Sequence, residues 1–476
     1  MQDKRRPARI VTIALWAFGL LAAALLSWLI PPMQSPDEES HIKRAYLISQ
    51  GDFLLQSLAP DMAGVIDDKD TVAFKERARK HGGRIGGMID LGLAHFVAVH
   101  LPLVREAGKR FSLAEKDLIA KINWQGIRHF QDLPGTGYYF PAIYAPQALG
   151  LAIGQRLKLS IQHSYDLAKG STLVACFALL VLAFRLMTPN PVVAAMLLLP
   201  MSLFQLLSPT IDGLTTSLAV LAVTLFLTSI DRSRKHSLAA SCGLAVCIFL
   251  LATSRAHLLP LLALPFYLAW QRQSRRDFFL GFLVAVATLA WILFALQTTN
   301  DPRIVRSQTT TQLLVHYAVN PAVFFEMVVA SVADDGLFTF YERSFIGILG
   351  WLDTPLVEDF YQTLWAGLAL CALASFSIST VQKDWRARVL LVAISVVSIG
   401  LIFLAMLVTW TPHPASVIKG VQGRYFVVPA VLLGYAASGY VTKQPPLRQW
   451  IAGLVVAVFA LTSLTALTTA LLGRYH

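Results

Sequence analysis

"IVTIALWAFGLLAAALLSWLI" occupies residues 10–30 and contains 21 residues without a charged side chain. A helix of this length crosses the hydrocarbon core of a bilayer, which is roughly 30 Å thick. The run follows four cations, Lys4, Arg5, Arg6 and Arg9, and cations also precede the apolar region of a secretory signal peptide. The apolar run is too long for such a peptide, however, and no small-residue cleavage site follows. The stretch therefore predicts a membrane anchor.

The rest of the chain has the same apolar character. It has 476 residues, of which 55% are hydrophobic and 14% charged, with a mean hydropathy of +0.58. We expect an all-α polytopic membrane protein that forms one transmembrane domain over residues 1–476, with about 11 transmembrane helices (range 10–13). The expected spans are 10–30, 167–187, 191–208, 211–230, 237–253, 257–270, 277–297, 359–381, 388–410, 425–442 and 450–472.

The net charge of +12 orients such a protein and implies no nucleic-acid partner. The positive-inside rule places the loops richest in Lys and Arg in the cytoplasm. With a cytoplasmic N-terminus these loops hold Lys4, Arg5, Arg6, Arg9, Arg185, Arg232, Arg234, Lys235, Arg272, Arg275, Arg276, Lys383, Arg386, Arg388, Lys443 and Arg448, whereas Arg255, Lys419, Arg424 and Arg474 lie outside. We expect a multi-pass protein of the bacterial inner membrane.

Two large extracytoplasmic loops follow from this topology, at 31–166 and 298–358. The first contains a stretch at 111–130 in which Ser112 and Glu115 form a capping box, so that an amphipathic helix at the membrane surface is predicted there. A span at 140–157 would place the later basic loops outside. We therefore interpret that segment as a juxtamembrane or re-entrant helix on the outer side.

"PPMQSPDEESHIKRAYLISQG" (31–51) directly follows the first span and has two interpretations. As structure, it starts a helix with Ser35 as N-cap, Pro36 in the first turn and Glu38 three residues after the cap. As a site, its helical spacing puts Asp37, Glu38, His41 and Arg44 on one face. A carboxylate there can act as a general base toward an acceptor hydroxyl, while cations bind the phosphate of a lipid-linked donor.

Three other outer segments carry candidate binding residues, each with a structural alternative. Asp212 in "SPTIDG" either caps a helix or serves the site. Arg255 and His257 in "TSRAH" either bind phosphate or lie at the interface. In "GWLDTPL", Asp353 either forms a turn or accepts sugar hydroxyls beside the indole of Trp351.

"KGVQGRYF" places four further candidates before the tenth expected span: Lys419, Gln422, Arg424 and Tyr425. The glycines in this segment would let the backbone approach a ligand, and Arg424 would bind a phosphate or diphosphate through two hydrogen bonds. An unpaired Arg is poorly suited to a membrane edge, which favours the functional interpretation.

No metal site and no obligatory cofactor are predicted. "DDKD" (67–70) contains an Asp-x-Asp pattern, but without a nucleotide-binding context it is interpreted as a solvated charge run. Cys176, Cys242, Cys247 and Cys371 all lie in apolar segments, where they are expected to be buried. Phosphate-binding G-x-x-x-x-G-K-[ST] and G-x-G-x-x-G patterns and the hydrolase pattern G-x-S-x-G do not occur.

The chain resembles the bacterial membrane family called domain of unknown function 2142, which is similar to lipid-dependent glycosyltransferases of the C-type fold. The resemblance extends over nearly the whole chain. It rests on the 31–51 stretch, "YYFPAIYAPQALGLAIG" (138–154), "SPTIDG" (208–213), "GWLDTPL" (350–356) and "GVQGRYFVVPA" (420–430).

The resemblance implies an inverting glycosyltransferase of cell-envelope polysaccharide biosynthesis with an outward-facing site. Asp37 would be its base and Glu38 the helper or alternative, with His41 orienting the acceptor and Arg255 and Arg424 stabilising the leaving phosphate. The donor would be a hexose or pentose on polyprenyl phosphate, since nucleotide sugars are not available outside. The acceptor would be a glycan or lipid, and membrane lipids and polysaccharide-assembly proteins are further candidate partners. A flippase of lipid-linked sugars and a polymerase or ligase of O-antigen type are the alternatives.

Overall fold

A computed structural model describes residues 19–57, 83–234, 236–299, 301, 308–376, 382, 384–437 and 446–476. Several sequence features lie outside these residues: the first part of the 10–30 run with the four cations before it, the 67–70 acidic run, Lys235, Lys383 and Lys443.

The described residues are mostly helical. The helices are α1 Gly19–Leu29, α2 Glu38–Ser49, α3 Leu91–Arg105, α4 Leu113–Ala120, α5 Ala145–Arg156, α6 Ile161–Leu186, α7 Pro191–Leu198, α8 Pro200–Leu206, α9 Asp212–Ile230, α10 Leu238–Ser254, α11 Ala263–Arg272, α12 Arg275–Thr298, α13 Thr310–Val319, α14 Pro321–Ala333, α15 Asp335–Ile346, α16 Glu358–Ser375, α17 Trp385–Thr409, α18 Val427–Ala437 and α19 Pro446–Tyr475. Short 3-10 helices span Pro134–Tyr138, Pro141–Tyr144, Ala256–Leu262 and Gly423–Phe426.

Five described helices, namely α6, α9, α12, α17 and α19, are long and apolar enough to cross a membrane. The count becomes six if α13 and α14, which meet at an angle of 100°, form one span. A multi-pass helical membrane protein is thus confirmed in outline. Several expected spans are shorter or broken: 191–208 divides into α7 and α8 at Pro200, and 257–270 begins as a 3-10 helix. Proline breaks a helix because its ring clashes with the preceding turn and it lacks an N–H donor.

The prediction of helix alone is incomplete, because part of the predicted first outer loop is a small antiparallel sheet. Its strands are β1 Gln56–Ser57, β2 Arg84–Asp90 and β3 Arg128–Asp132, in the order β1-β2-β3, with Met88 opposite Phe130. A second sheet pairs β4 Ile348–Leu349 with β5 Thr354–Pro355.

The amphipathic helix expected over 111–130 is therefore confined to α4. Its capping box is present as predicted, since Ser112 and Glu115 exchange hydrogen bonds between side chain and backbone. After α4 the chain turns through Gly126, whose φ of 72° favours glycine, and enters β3. The helical pattern of the sequence gave no indication that the chain turns here and continues as a strand.

Helix α9 lies at the centre of the molecule, and every one of its residues is buried. It packs against α6, α10, α11 and α18. Its polar side chains are tolerated because hydroxyls such as those of Ser217 and Thr224 donate to backbone carbonyls one turn earlier. The N-terminal residue of this buried helix is Asp212, which positions that carboxylate at the candidate site.

Candidate functional site

The backbone at the start of α2 differs from the predicted cap. The helix begins at Glu38, and Asp37 is its N-cap with φ 63°, so Ser35 and Pro36 precede it instead of forming its cap and first turn. The reason is the Glu38 side chain, which folds back and accepts hydrogen bonds from the N–H groups of Met33 (3.0 Å) and Ser35 (2.9 Å). This turn leaves the side chain of Asp37 without a capping bond.

Asp37 is the exposed acid of the site. Its side chain is 56% exposed, and its Oδ2 accepts a hydrogen bond from Nη2 of Arg424 at 3.2 Å. Left-handed backbone is uncommon for residues other than glycine, although Asp and Asn adopt it more readily than most. The carboxylate is therefore held by a buried partner while one side remains open to solvent.

Arg424 connects Asp37 to a second, buried carboxylate. Its Nη1 donates to Oδ2 of Asp212 at 3.0 Å, and Nη2 of Arg255 donates to the other oxygen of Asp212. We call these four residues, Asp37, Arg424, Asp212 and Arg255, the charge chain. Two carboxylates balance two guanidinium groups, so that the buried members, Asp212 and Arg424, carry no uncompensated charge.

Polar and aromatic side chains complete the surroundings of the two guanidinium groups. Gln422 accepts a hydrogen bond from Nε of Arg424 at 2.6 Å. The ring of Tyr425 lies 5.2 Å from the Arg424 guanidinium and 6.0 Å from that of Arg255, and Tyr139 lies 5.4 Å from Arg255. Such cation–π contacts favour charged guanidinium groups away from water.

His41 is close to the charge chain but buried. Its Nδ1 shares a 2.8 Å hydrogen bond with the hydroxyl of Tyr144, and its ring stacks against Tyr139. Burial lowers the pKa of His41 to about 4, against the opposing effect of Asp37 and Asp212. His41 is therefore neutral at pH 7 and presents no positive charge to a ligand.

Glu38 and Arg44 have structural partners. Besides its two backbone contacts, the fully buried Glu38 accepts a 2.6 Å hydrogen bond from the Tyr165 hydroxyl, and burial raises the pKa of this carboxyl. Arg44 donates to the carbonyl of Phe53 at 2.5 Å and to that of Asp52. The residues of the predicted catalytic face of α2 therefore differ in role. Asp37 is exposed to solvent, whereas Glu38 and Arg44 bind the loops on either side of the helix.

Two of the remaining predicted residues lie beside the charge chain or support it. His257 lines the same small cavity as Asp212, Arg255 and Arg424. Trp351 donates from its indole to the carbonyl of Met33 at 2.9 Å and so supports the loop that carries Asp37.

Asp353 and Lys419 have no place in the charge chain. Asp353 accepts a hydrogen bond from Arg474 of α19 at 3.4 Å and pairs with Arg474 instead. Lys419 is exposed, and its backbone N–H donates to the Thr411 hydroxyl.

Tyr139, Tyr144 and Tyr165 were missed as site residues. A signal existed for the first two, which stand in the proline-containing, aromatic 138–154 segment. Nothing in the local sequence distinguishes Tyr165 from other residues of an apolar helix.

The interior of the site is nearly closed. The cavity behind Asp37 has a volume of about 20 Å³, enough for about one water molecule. It is lined by Gln205, Asp212, Thr215, Thr216, Arg255, His257, Leu258, Arg424, Tyr425 and Val428. A ligand therefore meets Asp37 from the exposed side. Among the described residues no group of three His, Cys, Asp or Glu side chains is arranged to hold a metal ion.

The sequence model of a family described as "Predicted membrane protein (DUF2142)" matches residues 20–433. The chain belongs to the DUF2142 family. The whole charge chain falls within the DUF2142 match, whereas α19, which supplies the partner of Asp353, lies beyond it. Neither the curated proteins nor the solved structures contain a match to this chain.

Proposed function

We propose that this protein is an inverting glycosyltransferase that moves a sugar from a polyprenyl-phosphate donor to an extracytoplasmic glycan or lipid acceptor. The observation that carries the proposal is Asp37. An acid that is more than half exposed, sits on left-handed backbone and is held by a buried arginine is poorly explained by stability alone. Backbone strain of this kind is concentrated at functional sites.

The chemistry needs one base and one displacement. Asp37 accepts the proton of the acceptor hydroxyl, whose oxygen attacks the anomeric carbon of the donor. The bond between that carbon and the phosphate oxygen breaks, and the polyprenyl phosphate leaves with the bonding electrons. A single displacement inverts the anomeric configuration. Arg424 would orient Asp37 during proton transfer, because its guanidinium fork is fixed from behind by Asp212 and Gln422.

The depth of Asp37 suits a donor anchored in the membrane. Asp37 lies eight residues after the end of α1. The ammonium group of Lys169 donates to the carbonyls of Ser27 (2.6 Å) and Ile30 (3.1 Å), so the end of α1 is fixed against α6. A phosphate head group at this level would lie beside the exposed Asp37, with the exposed Lys419 as its candidate cation, because Arg424 is buried behind Asp37.

We include in the proposal a C-type arrangement with about 11 membrane crossings. Besides the five long helices, α1, α10, α16 and the Gly423–Ala437 segment would each supply one crossing, and the broken segments α7–α8 and Ala256–Arg272 would supply the other two. The proposed site then faces outward, at the end of α9 opposite the basic loops.

The test is a comparison of surface glycans in a deletion strain that carries wild type, Asp37→Asn or Asp117→Asn. Asn also tolerates left-handed backbone, so the first variant removes the base with little change in fold. Asp117 is an exposed residue of α4, and its variant is the matched control. We expect wild type and Asp117→Asn to restore one sugar unit by mass spectrometry, and Asp37→Asn to leave it missing while lipid-linked donor accumulates. Equal restoration by all three at equal membrane levels would refute the proposal.

One observation favours a second candidate, a flippase of lipid-linked sugars. Helices α13 and α14 meet at 100° in the segment assigned to the second outer loop, and broken helices line substrate sites in transporters. The two candidates differ in the face of the membrane on which the lipid-linked donor accumulates in the Asp37→Asn strain. Donor trapped on the cytoplasmic face indicates the flippase, whereas donor present on the outer face indicates the transferase.

A further inference from the structure

A groove of about 470 Å³ lies in the first outer loop, at the opposite end of α2 from Asp37. We call it the Trp124 groove. It is lined by Tyr46, Asp90, Asn123, Trp124, Gly126, Arg128, Gln155, Lys158 and Leu159. Its volume is that of a site for a small organic ligand, and the charge chain contributes no residue to it.

Two aromatic rings form the apolar part of the groove. Tyr46 and Trp124 are stacked with their centres 5.6 Å apart and their planes inclined by 15°. The indole N–H of Trp124 donates to the Ser164 hydroxyl at 3.1 Å, which fixes the ring against α6. A half-buried, immobilised indole offers an apolar surface with polar groups beside it, which suits the alternating C–H and hydroxyl faces of a sugar ring.

Hydrogen-bonding side chains line the rest of the groove. Arg128 donates to the amide oxygen of Gln50 at 2.7 Å, and the amide nitrogen of Gln50 donates to Gln155 at 2.6 Å. Asp90 is buried, and its oxygens accept from the backbone N–H groups of Gly92, Gln125 and Gly126 at 2.7–3.1 Å. Asp90 therefore shapes the floor, while guanidinium and amide groups face the space above it.

The exposed charges around the groove are positive. Arg128 and Lys158 are both exposed, and the Arg128 guanidinium also lies over the Tyr46 ring at 5.9 Å. Lys158 has φ 55°, an uncommon backbone conformation for lysine, just after the end of α5. The one carboxylate that lines the groove, Asp90, is already engaged by backbone N–H groups. A ligand with a negative charge complements this rim.

The position of the groove relative to Asp37 matches an extended acceptor. Tyr46 lies nine residues after Asp37, which corresponds to about 14 Å along the helical chain. Leu159, which lines the groove, lies two residues before the start of α6, whereas the end of α1 is fixed to Lys169, about two turns along that helix. The groove is thus further from the membrane core than the end of α1, at a depth that suits a glycan better than a lipid chain.

We propose that the Trp124 groove binds the acceptor, an anionic glycan whose sugar ring packs on Trp124 and whose carboxylate or phosphate group pairs with Arg128 and Lys158. The identification of this ligand as the acceptor rests on the proposed transferase function. Binding of an anionic glycan to the groove does not depend on it.

The probe is the surface oligosaccharide pool of the deletion strain, separated by anion exchange into neutral and acidic fractions. Binding of each fraction to the purified full-length protein in detergent is measured by isothermal titration calorimetry. We expect the acidic fraction to bind wild type, and Trp124→Ala and Lys158→Glu each to weaken binding by about tenfold or more. Trp124→Phe should recover part of the affinity, and Lys116→Glu, which alters an exposed lysine of α4, should bind as wild type. If Trp124→Ala does not fold, the exposed Lys158→Glu still tests the groove.

A transfer assay separates failure of this inference from failure of the proposed function. We expect Trp124→Ala to raise the KM for acceptor with kcat largely kept, and Asp37→Asn to bind the acidic fraction normally while losing transfer. If wild type transfers no sugar and the acidic fraction still binds at the groove, the transferase is wrong and the groove stands. Preference for the neutral fraction, binding of neither fraction, or equal affinity of wild type and Lys158→Glu would overturn the inference.

Discussion

At the scale of single residues, Arg424 makes the hydrogen bonds that connect the proposed site. Its three nitrogens bind three different acceptors: Nε binds Gln422, Nη1 binds Asp212 and Nη2 binds Asp37. A planar guanidinium can make these bonds at once, whereas a lysine ammonium is a point charge that lacks the fork. The orientation of Asp37 therefore depends on the shape of Arg424 as well as on its charge.

Arg424→Lys should retain the charge and lose the orientation. We expect the protein to reach the membrane at normal levels, since Asp212 keeps Arg255 as a partner. Transfer should fall by about 10- to 100-fold, the equivalent of one or two charge-assisted hydrogen bonds. The rate of sugar transfer in membranes measures this change. The control is Arg110→Lys, because Arg110 is exposed and donates to backbone carbonyls of the C-terminal residues. Full activity of Arg424→Lys would mean that a point charge is sufficient.

His41 should make the stability of the protein depend on pH. Its pKa is lowered to about 4 by burial, from an ordinary value of 6.5, so the unfolded chain binds the extra proton between these values. Stability contributed by neutral His41 is present above pH 6.5 and is lost as the pH falls toward 4. The loss at pH 5 is about 2 kcal/mol.

We therefore expect the melting temperature in detergent to fall more between pH 7 and pH 5 for wild type than for His41→Gln, which cannot take up a proton. Comparing the two proteins cancels the contributions of other groups, such as Glu38, whose raised pKa acts in the opposite direction. Parallel pH profiles would show that the pKa of His41 is the same in the folded and the unfolded protein.

At the scale of elements, local patterns and long-range contacts were not equally predictable. The apolar runs of α6, α9 and α12 and the capping box of α4 are local properties, and the sequence predicts them. The three-stranded sheet depends on pairing of segments about 40 residues apart, such as Met88 and Phe130, and no helical pattern signals it.

The candidate site was predictable in its members and not in its geometry. Asp37, Asp212, Arg255 and Arg424 stand out because charges are rare near apolar segments. Their mutual contacts join residues up to 387 positions apart and depend on the packing of α9 against its neighbours. The spacing on α2 suggested that Glu38 and Arg44 share a face with Asp37, and the turn at Met33 to Asp37 changes this arrangement.

Helix α15 packs closely against the 3-10 helix Gly423–Phe426. This contact leaves no room for a side chain at Gly423. A Cβ there would overlap the backbone of Tyr341 and Phe345, while the N–H of Gly423 donates to the Ser344 hydroxyl at 2.7 Å. Backbone cannot move aside as a flexible side chain can. We expect Gly423→Ala to destabilise the protein by about 1–3 kcal/mol and to displace Arg424, its neighbour in the chain.

The melting temperature and the transfer rate of Gly423→Ala should both fall. Gly170→Ala is the matched control, because an added Cβ at that helical position meets nothing within 4 Å and alanine favours the helix. The control should be as stable as wild type or slightly more so. An unchanged melting temperature for Gly423→Ala would show that α15 can separate from this segment at little cost.

At the scale of the whole molecule, the two ends of the buried α9 differ in chemistry. Its 19 residues give a length of about 28 Å, close to the thickness of a bilayer core. The charge chain meets its first residue. Near its last residue, Arg272 donates to the carbonyl of Ser229 at 2.8 Å, and Arg234 donates to that of Leu186 at the end of α6. Cations at helix C-termini are stabilised by the helix dipole, and at a membrane surface they also fix orientation.

This polarity predicts which residues an outside reagent reaches. In a variant without the four native cysteines, Asp117→Cys places a thiol on α4 in the predicted first outer loop, and Arg275→Cys places one at the start of α12, both at exposed positions. A membrane-impermeant maleimide should label Asp117→Cys in intact spheroplasts and Arg275→Cys only after permeabilisation, because the positive-inside rule predicts that the basic end lies in the cytoplasm. Labelling of both after lysis is the control for reactivity. The reverse pattern would place Asp37 in the cytoplasm, where nucleotide sugars are available, and the argument for a polyprenyl-phosphate donor would no longer hold.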